Sequence, residues 1–333
     1  MTPPDPSTTD ASPPGFPASV SLERAGCPLG CRSADDVVLE GQDRLHGLPG
    51  RFRVVRCREC RLMRTDPRPT PETIGFYYPA AYGPFRAPRA ETSLGGAERP
   101  LWKRLLDPVF GVTYATVVPE MAPGKMLEIG CAAGAFLQSM ASRGWRVAGI
   151  EASAGAAAVA AGLGFSVRAG QVETVDAPEG PFGLIVGWNV LEHLHHPVDA
   201  LRRLAGWAEP EGRLVVSMPN ASGLGFRLFG ACWYDLDLPR HLLHLTPGTA
   251  KRLLEASGWR VDRVFQQRNA VGLLGSLGHA TASRLAAQGR VTRFLQGLPE
   301  RGGRLASLTV PVGAVLGLLG LSDRMTVWAT KAE

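Results

Sequence analysis

From Lys125 to the end of the chain, short apolar runs alternate with stretches in which apolar residues recur every three or four positions. The first run, Lys125–Gly130 (KMLEIG), reads as a buried strand. The segment after it, Ala135–Arg143, puts Phe136, Leu137, Met140 and Ala141 on one face of a helix. The same alternation predicts strands at Arg146–Glu151, Phe165–Gly170, Phe182–Leu191, Gly212–Asn220, Arg260–Gln267 and Met325–Lys331. Helices fall between them at Ser153–Leu163, Pro197–Ala208 and Pro247–Ser257, with Pro197 at a first turn and Gly258 as a stop. Strands alternating with helices specify an open α/β sheet of parallel strands joined by right-handed crossovers.

Upstream the pattern changes. Residues 1–22 are rich in Pro, Ser and Thr, lack an apolar run and a basic start, and read as a disordered tail rather than a targeting peptide. On that reading the protein is cytoplasmic, where thiols stay reduced. Residues 23–82 carry closely paired cysteines, residues 83–100 are a linker rich in Pro, Gly and Arg, and residues 101–333 form the α/β body. Near the C-terminus, residues 306–322 carry no charge. Crossing a bilayer takes roughly 20 apolar residues, so this stretch reads as a helix packed on the sheet. The alternative is an apolar flap at 308–321 that touches a lipid-linked acceptor or makes peripheral membrane contact.

The chain has 333 residues, of which 45% are apolar and 20% charged, a soluble globular profile with room for a large domain and a small one. The net charge of +6 suggests nucleic acid, but only four of the 36 basic residues are lysines and the arginines are scattered, so a nucleic-acid partner is not expected. Six cysteines are too few for a disulfide scaffold at this length. Four of them form two knuckles, Cys27-Pro-Leu-Gly-Cys31 and Cys57-Arg-Glu-Cys60, with a strand-like stretch (Arg51–Arg56) between. Two such turns suit a tetrahedral structural Zn2+, which would supply much of the folding free energy of so small a segment.

The first strand of the body ends in Glu128-Ile-Gly130-Cys131-Ala-Ala-Gly134. Glycines between a strand and a helix let the backbone turn tightly and approach a ligand. The second strand ends in Glu151, whose carboxylate can accept hydrogen bonds from a ribose diol. A dinucleotide would want G-x-G-x-x-G, and its pyrophosphate would be repelled by the carboxylate of Glu128, two residues before the first glycine. S-adenosylmethionine has no phosphate and carries an ammonium and a sulfonium, so the electrostatics favour it over a nicotinamide cofactor. The loop alone remains compatible with a plain strand-to-helix turn.

In LEIGCAAGAF, IEAS, WNVLEHLHHP, EPEGRLVVSMPN and PRHLLHLTP, taken in order, residues 101–333 resemble the class I S-adenosylmethionine-dependent methyltransferases. The resemblance implies a Rossmann-like seven-stranded sheet, mostly parallel with an antiparallel last strand. It implies that Glu128, Gly130 and Gly134 surround the methionine end of the cofactor, with Cys131 in the same loop. It implies further that Glu151 holds the ribose, that Ala152, Gln171 and Val172 flank the adenine, and that Asn189 lines the floor near the sulfonium. Ala132 stands where many relatives have glycine, which implies a slightly altered loop. The cysteine segment resembles the zinc-ribbon heads of some bacterial methyltransferases. The acceptor expected on this basis is a small molecule, a sugar or a lipid-linked compound, methylated at oxygen or carbon. The alternatives are an RNA or protein methyltransferase that uses the ribbon to bind its partner, or a nicotinamide-dependent oxidoreductase.

A hydroxyl or acidic-carbon acceptor needs a general base, and histidine suits neutral pH. His193, at the mouth of the cofactor pocket, and His241, in a region (about 221–246) that covers the acceptor in this family, are the candidates. His195 and His196 precede Pro197 and are expected at the surface.

Overall fold

The computed structural model describes residues 15–79, 118–285, 289–301 and 308–333. The N-terminal part contains β1 (Leu22–Glu23), β2 (Asp35–Gly41), β3 (Phe52–Cys57), β4 (Met63–Thr65) and β5 (Arg68–Pro69). The body then runs β6 (Lys125–Ile129), α1 (Ala135–Ala141), β7 (Arg146–Glu151), α2 (Ala154–Gly162), β8 (Ser166–Ala169), β9 (Phe182–Trp188), α3 (Pro197–Trp207) and β10 (Ala208–Pro219). It continues with α4 (Leu224–Phe229), β11 (Leu243–His244), α5 (Pro247–Glu255), β12 (Trp259–Gln266), α6 (Val271–Leu285), α7 (Arg290–Arg301), α8 (Val310–Leu318) and β13 (Arg324–Lys331).

Seven strands form the expected sheet in the order β12-β13-β10-β9-β6-β7-β8. The pairs β8–β7, β7–β6, β6–β9 and β9–β10 are parallel, while β13 runs antiparallel to both β10 and β12. The central strands β6 and β9 are almost continuously buried, as strands covered by helices on both faces must be. Chain order reverses at β6, which has β7 on one side and β9 on the other, so a ligand crevice opens beyond the carboxyl ends of these strands.

The N-terminal part is not a detached head. A four-stranded sheet in the order β11-β4-β3-β2 takes its edge strand from the body, pairing Leu243 with Arg64 and His244 with Met63. Cys57, Cys60 and Leu62 share one apolar cluster with Leu243, Leu245, Leu253 and Leu254 of the body. At the same seam the fully buried Arg240 is ion-paired to Asp43 at 2.7 Å and to Asp237 at 2.6 Å.

Three expectations change. The tail predicted over residues 1–22 is structured over residues 15–22. Val20 and Leu22 lie on one side of an extended segment and are buried with Phe52, Tyr77 and Trp233, a tertiary contact that Pro-rich composition does not announce. Residues 1–14 and the linker at 83–100 lie outside the described residues. The strand expected to run to Leu191 stops at Trp188, where Asn189 turns at φ +55° into a short 3-10 turn, Leu191–His193. The uncharged stretch before β13 does form a helix, α8, but only one of its sides packs on the sheet.

Candidate active site

A cavity of 680 Å³ occupies the crevice at the switch point, and both parts of the chain line it. On the cofactor side its wall carries Gly130, Glu151, Ala152, Gln171, Val172 and Asn189, all anticipated from the sequence, together with Trp188. Gly130 adopts φ +68°, and a Cβ there would lie 2.6 Å from Val190 Cγ2, so the loop needs glycine for both its turn and its close approach. Ala132 takes φ +47° at the position where the resemblance leads one to expect glycine, so the loop keeps its shape at some backbone strain.

Glu151 is held facing the cavity by amides at both oxygens. Ala132 N–H donates to Oε2 and Ser153 N–H to Oε1, each at 2.8 Å, which leaves lone pairs on both oxygens for a diol. Three expected positions are absent from the wall. Glu128 sits behind the loop, its Oε2 without a partner, and burial beside Glu151 holds its carboxyl well above the usual range. It does not line the cavity, and its burial favours the neutral form. The side chain of Cys131 turns onto the sheet, against Gly149 and Leu137. Gly134 instead starts α1, at φ +84°.

The other side of the cavity gathers Glu192, His193 and His241, whose ligand atoms lie within 4.8 Å of one another. The His241 Nδ1 atom is 2.8 Å from the Asp235 carbonyl, which can only accept, so Nδ1 carries the proton and Nε2 keeps a lone pair. Nε2 lies 3.9 Å from Glu192 Oε1 and 3.9 Å from Asp237 Oδ2. Burial, with His193 and His244 nearby, holds His241 well below the usual imidazole range, so the lone pair is present at neutral pH. Glu192 is buried with no hydrogen-bond partner for either oxygen among the described residues, and burial pushes its carboxyl up to about 8. His193 Nδ1 lies 2.9 Å from the Arg240 carbonyl and 3.0 Å from the Tyr78 hydroxyl, and burial lowers this imidazole too. The two imidazoles meet edge to face, 4.7 Å apart.

The loop bearing His241 owes its position to Arg240, whose guanidinium bonds Asp237, Asp43 and the Tyr77 carbonyl. The N-terminal part therefore anchors the candidate base, and its residues Pro71, Ile74, Gly75 and Tyr78 form a wall of the cavity. Sequence reasoning missed Tyr78, Asp235 and Arg324, the last two paired at 2.6 Å beside the cavity. Nothing in local spacing marks them, because each reaches the site from a different part of the fold. His195, expected at the surface, is buried with Nε2 3.1 Å from the Pro69 carbonyl, and the buried His244 bonds Thr65.

Cys27, Cys31, Cys57 and Cys60 converge with their sulfur atoms within 4.8 Å of one another, Cys27 and Cys60 at 3.4 Å. Tetrahedral zinc with Zn–S near 2.3 Å needs thiolates about 3.8 Å apart, so the four side chains fit that ion.

A parallel sheet closed by an antiparallel last strand, with an acidic side chain at the end of β7 facing a glycine turn after β6, defines a methyltransferase of the Rossmann-like class. Sequence comparison agrees. Residues 103–264 match a family model described as a methyltransferase domain. A ubiquinone biosynthesis O-methyltransferase of Stutzerimonas stutzeri is 30% identical over 164 residues, 46% of this chain and 69% of that protein. The enzyme of the same name from Xanthomonas euvesicatoria is 29% identical over 188 residues, 54% of this chain and 77% of that one. Among solved structures, an S-adenosylmethionine-dependent methyltransferase from Mesorhizobium loti superposes with a TM-score of 0.43 at 16% identity, covering 65% of this chain and 95% of its own. The chain belongs to the class I S-adenosylmethionine-dependent methyltransferases and is an enzyme of that kind.

Proposed function

We propose that this enzyme methylates a hydroxyl group of a small, lipid-linked acceptor, with His241 as general base. The observation that carries the proposal is the fixed tautomer of His241, whose free Nε2 faces the cavity next to an unpartnered carboxyl group. Bound S-adenosylmethionine supplies a methyl group on a positively charged sulfur that needs no further activation. The residues of the chain do the remainder. Glu151 receives the ribose hydroxyls, Ala152, Gln171 and Val172 flank the adenine, and Asn189 borders the methionine end. The acceptor hydroxyl would pass its proton to His241 Nε2, leaving its oxygen to take the methyl group that bound S-adenosylmethionine would supply. The products are a methyl ether, S-adenosylhomocysteine and a proton that leaves through His241. Tyr78 and His193, joined at 3.0 Å, line the acceptor side of the cavity, and holding the three reacting centres in line is the main contribution.

Oxygen as the nucleophile and a lipid tail on the acceptor are supported by the ubiquinone O-methyltransferase name shared by the Stutzerimonas and Xanthomonas relatives. In the same reading, Cys27, Cys31, Cys57 and Cys60 hold a structural zinc ion that stabilises the N-terminal wall of the cavity. The test is methyl transfer to a catechol with an isoprenoid tail, measured as S-adenosylhomocysteine release. Release by the wild type that His241→Ala abolishes supports the reading. Turnover unchanged in His241→Ala would remove the base assignment.

A further inference from the structure

His241 and Leu242 are fastened from two directions. From the body, the Asp237 carbonyl accepts from His241 N–H at 3.0 Å and the Glu192 carbonyl accepts from Leu242 N–H at 2.7 Å. The other two bonds come from one residue of the N-terminal part, Thr65, the last of β4. The Thr65 hydroxyl donates to the His241 carbonyl at 2.8 Å, and Thr65 N–H donates to the Leu242 carbonyl at 3.0 Å. The same hydroxyl lies 3.1 Å from His244 Nε2, and both side chains are buried. A carbonyl can only accept, so the single hydroxyl proton goes to His241 and Nε2 of His244 must donate in turn. The result is a buried chain, His244 Nε2–H to Thr65 Oγ1–H to the His241 carbonyl. Burial pushes His244 down to about 3, so its ring is neutral at neutral pH and donates from that one nitrogen. Neither Thr65 nor His244 lines the cavity.

We infer that Thr65 is a positioning residue for methyl transfer, holding the backbone of His241 so that Nε2 faces the acceptor. The inference rests on His241 as the base proposed above. The imidazole is held at Nδ1 by the Asp235 carbonyl, six residues back in the same irregular loop, where Asp237 adopts φ +36°. A loop that carries both the ring and its anchor moves as one, so its place relative to the cofactor must be fixed from outside. Strand β4 supplies that reference. Thr65 is paired with Val54 of β3, and its neighbours Arg64 and Met63 pair with β11, which follows His241. Thr65→Val keeps the branched side chain and the Thr65 N–H bond and removes only the hydroxyl. The His241 carbonyl and His244 Nε2–H then lose their shared partner in the interior, and the loop shifts to satisfy them. A displacement of about 1 Å at a reacting group costs on the order of 100-fold in rate.

The experiment compares the full-length wild type, Thr65→Val and Thr65→Ser by two readouts. With a catechol bearing an isoprenoid tail as acceptor, Thr65→Val lowers kcat by about 10–100-fold, while KM for the catechol and calorimetric affinity for S-adenosylmethionine stay at wild-type values. Thr65→Ser, which keeps the hydroxyl, restores most of kcat. The second readout needs no acceptor. Long-range proton–nitrogen correlation spectra of histidine-labelled protein, assigned with His241→Ala and His244→Ala, show His241 as the Nδ1–H tautomer and His244 as the Nε2–H tautomer in wild type. In Thr65→Val the His241 signals shift or split, and in Thr65→Ser they return. The inference is overturned if Thr65→Val lowers only the melting temperature, with kcat and the His241 signals at wild type, since Thr65 would then merely fasten the two parts together. It is also overturned if His244 in wild type carries its proton on Nδ1, a result that does not depend on any variant folding. Unchanged turnover in His241→Ala, or a catechol that wild type does not methylate, refutes the function proposed above instead, and the imidazole signals then decide the tether by themselves.

Discussion

Asp43 ties the N-terminal part to the loop of His241, and removing it is a sharp test of that architecture. Its carboxylate accepts hydrogen bonds from the amides of Leu45, His46 and Leu48 at 3.0, 3.1 and 3.2 Å. It also accepts two from the Arg240 guanidinium, at 2.7 and 3.2 Å, and both side chains are fully buried. Asp43→Ala leaves Arg240 charged in the interior without its Asp43 partner, while its bonds to Asp237 and the Tyr77 carbonyl remain. Breaking a buried pair by deleting one partner costs about 3–5 kcal/mol. Domains have about 5–15 kcal/mol in all, so the expected loss is a large fraction of the total. Urea unfolding followed by tryptophan fluorescence reads the change, since Trp233 sits in the cluster that joins the two parts. Asp43→Ala/Arg240→Met removes the stranded charge and should lose less than the sum of the single variants. A loss of less than about 1 kcal/mol in Asp43→Ala, the range of a surface ion pair, would refute the reasoning.

Other outcomes follow from the same geometry. His241→Ala is expected to lower kcat by about 10²–10⁴-fold, the usual contribution of a general base, while calorimetric affinity for S-adenosylmethionine stays within error. A parallel loss of cofactor affinity would point to a structural role instead. Glu192, pushed up to about 8 from an ordinary value of 4.5, holds a proton in the folded chain that the unfolded chain has lost across that interval. The contribution of Glu192 to stability is therefore complete below that interval and is lost as pH rises through it. Glu192→Gln should flatten the fall of Tm between about pH 5 and 8, and an unchanged slope would contradict the assigned burial. For the cysteine cluster, metal analysis of purified protein should give about one zinc per chain, and Cys57→Ser should lower both zinc content and Tm. Zinc-free protein that melts at the wild-type temperature would dismiss the site.

The sheet was readable because β6, β7, β9 and β10 are apolar runs of strand length separated by helices of regular period, and the glycines after β6 mark the crevice. Glu151 and the residues after β8 could be placed because each sits at a fixed offset from a strand end. Glu128 obeys the same spacing yet lies behind the loop, since alternation along β6 sends its side chain into the sheet layer rather than the crevice. The acceptor half was half legible. His193 and His241 stood out as titratable residues in family motifs, but their partners come from residues 78 and 235, the latter paired in turn with Arg324 at the start of β13, and only folding brings these together. Residues 15–22 were misread because two apolar residues in a Pro-rich stretch give no periodic signal, although Val20 and Leu22 are core. The helix before β13 was anticipated, but which of its sides would pack was not, because an uncharged helix is apolar all round and small residues alone betray the buried side.

The carboxylate at the end of β7 is proposed to hold the methyl donor. Titration calorimetry of S-adenosylmethionine into wild type and into Glu151→Ala tests this most directly. Two hydrogen bonds to a carboxylate, worth about 1.5–3 kcal/mol each, are lost, so the variant should bind at least about a hundredfold more weakly. Wild-type binding with that loss, in a variant whose circular dichroism shows it folded, is the predicted result. Equal affinity in the two proteins, or wild type that binds a nicotinamide dinucleotide and not S-adenosylmethionine, would contradict it.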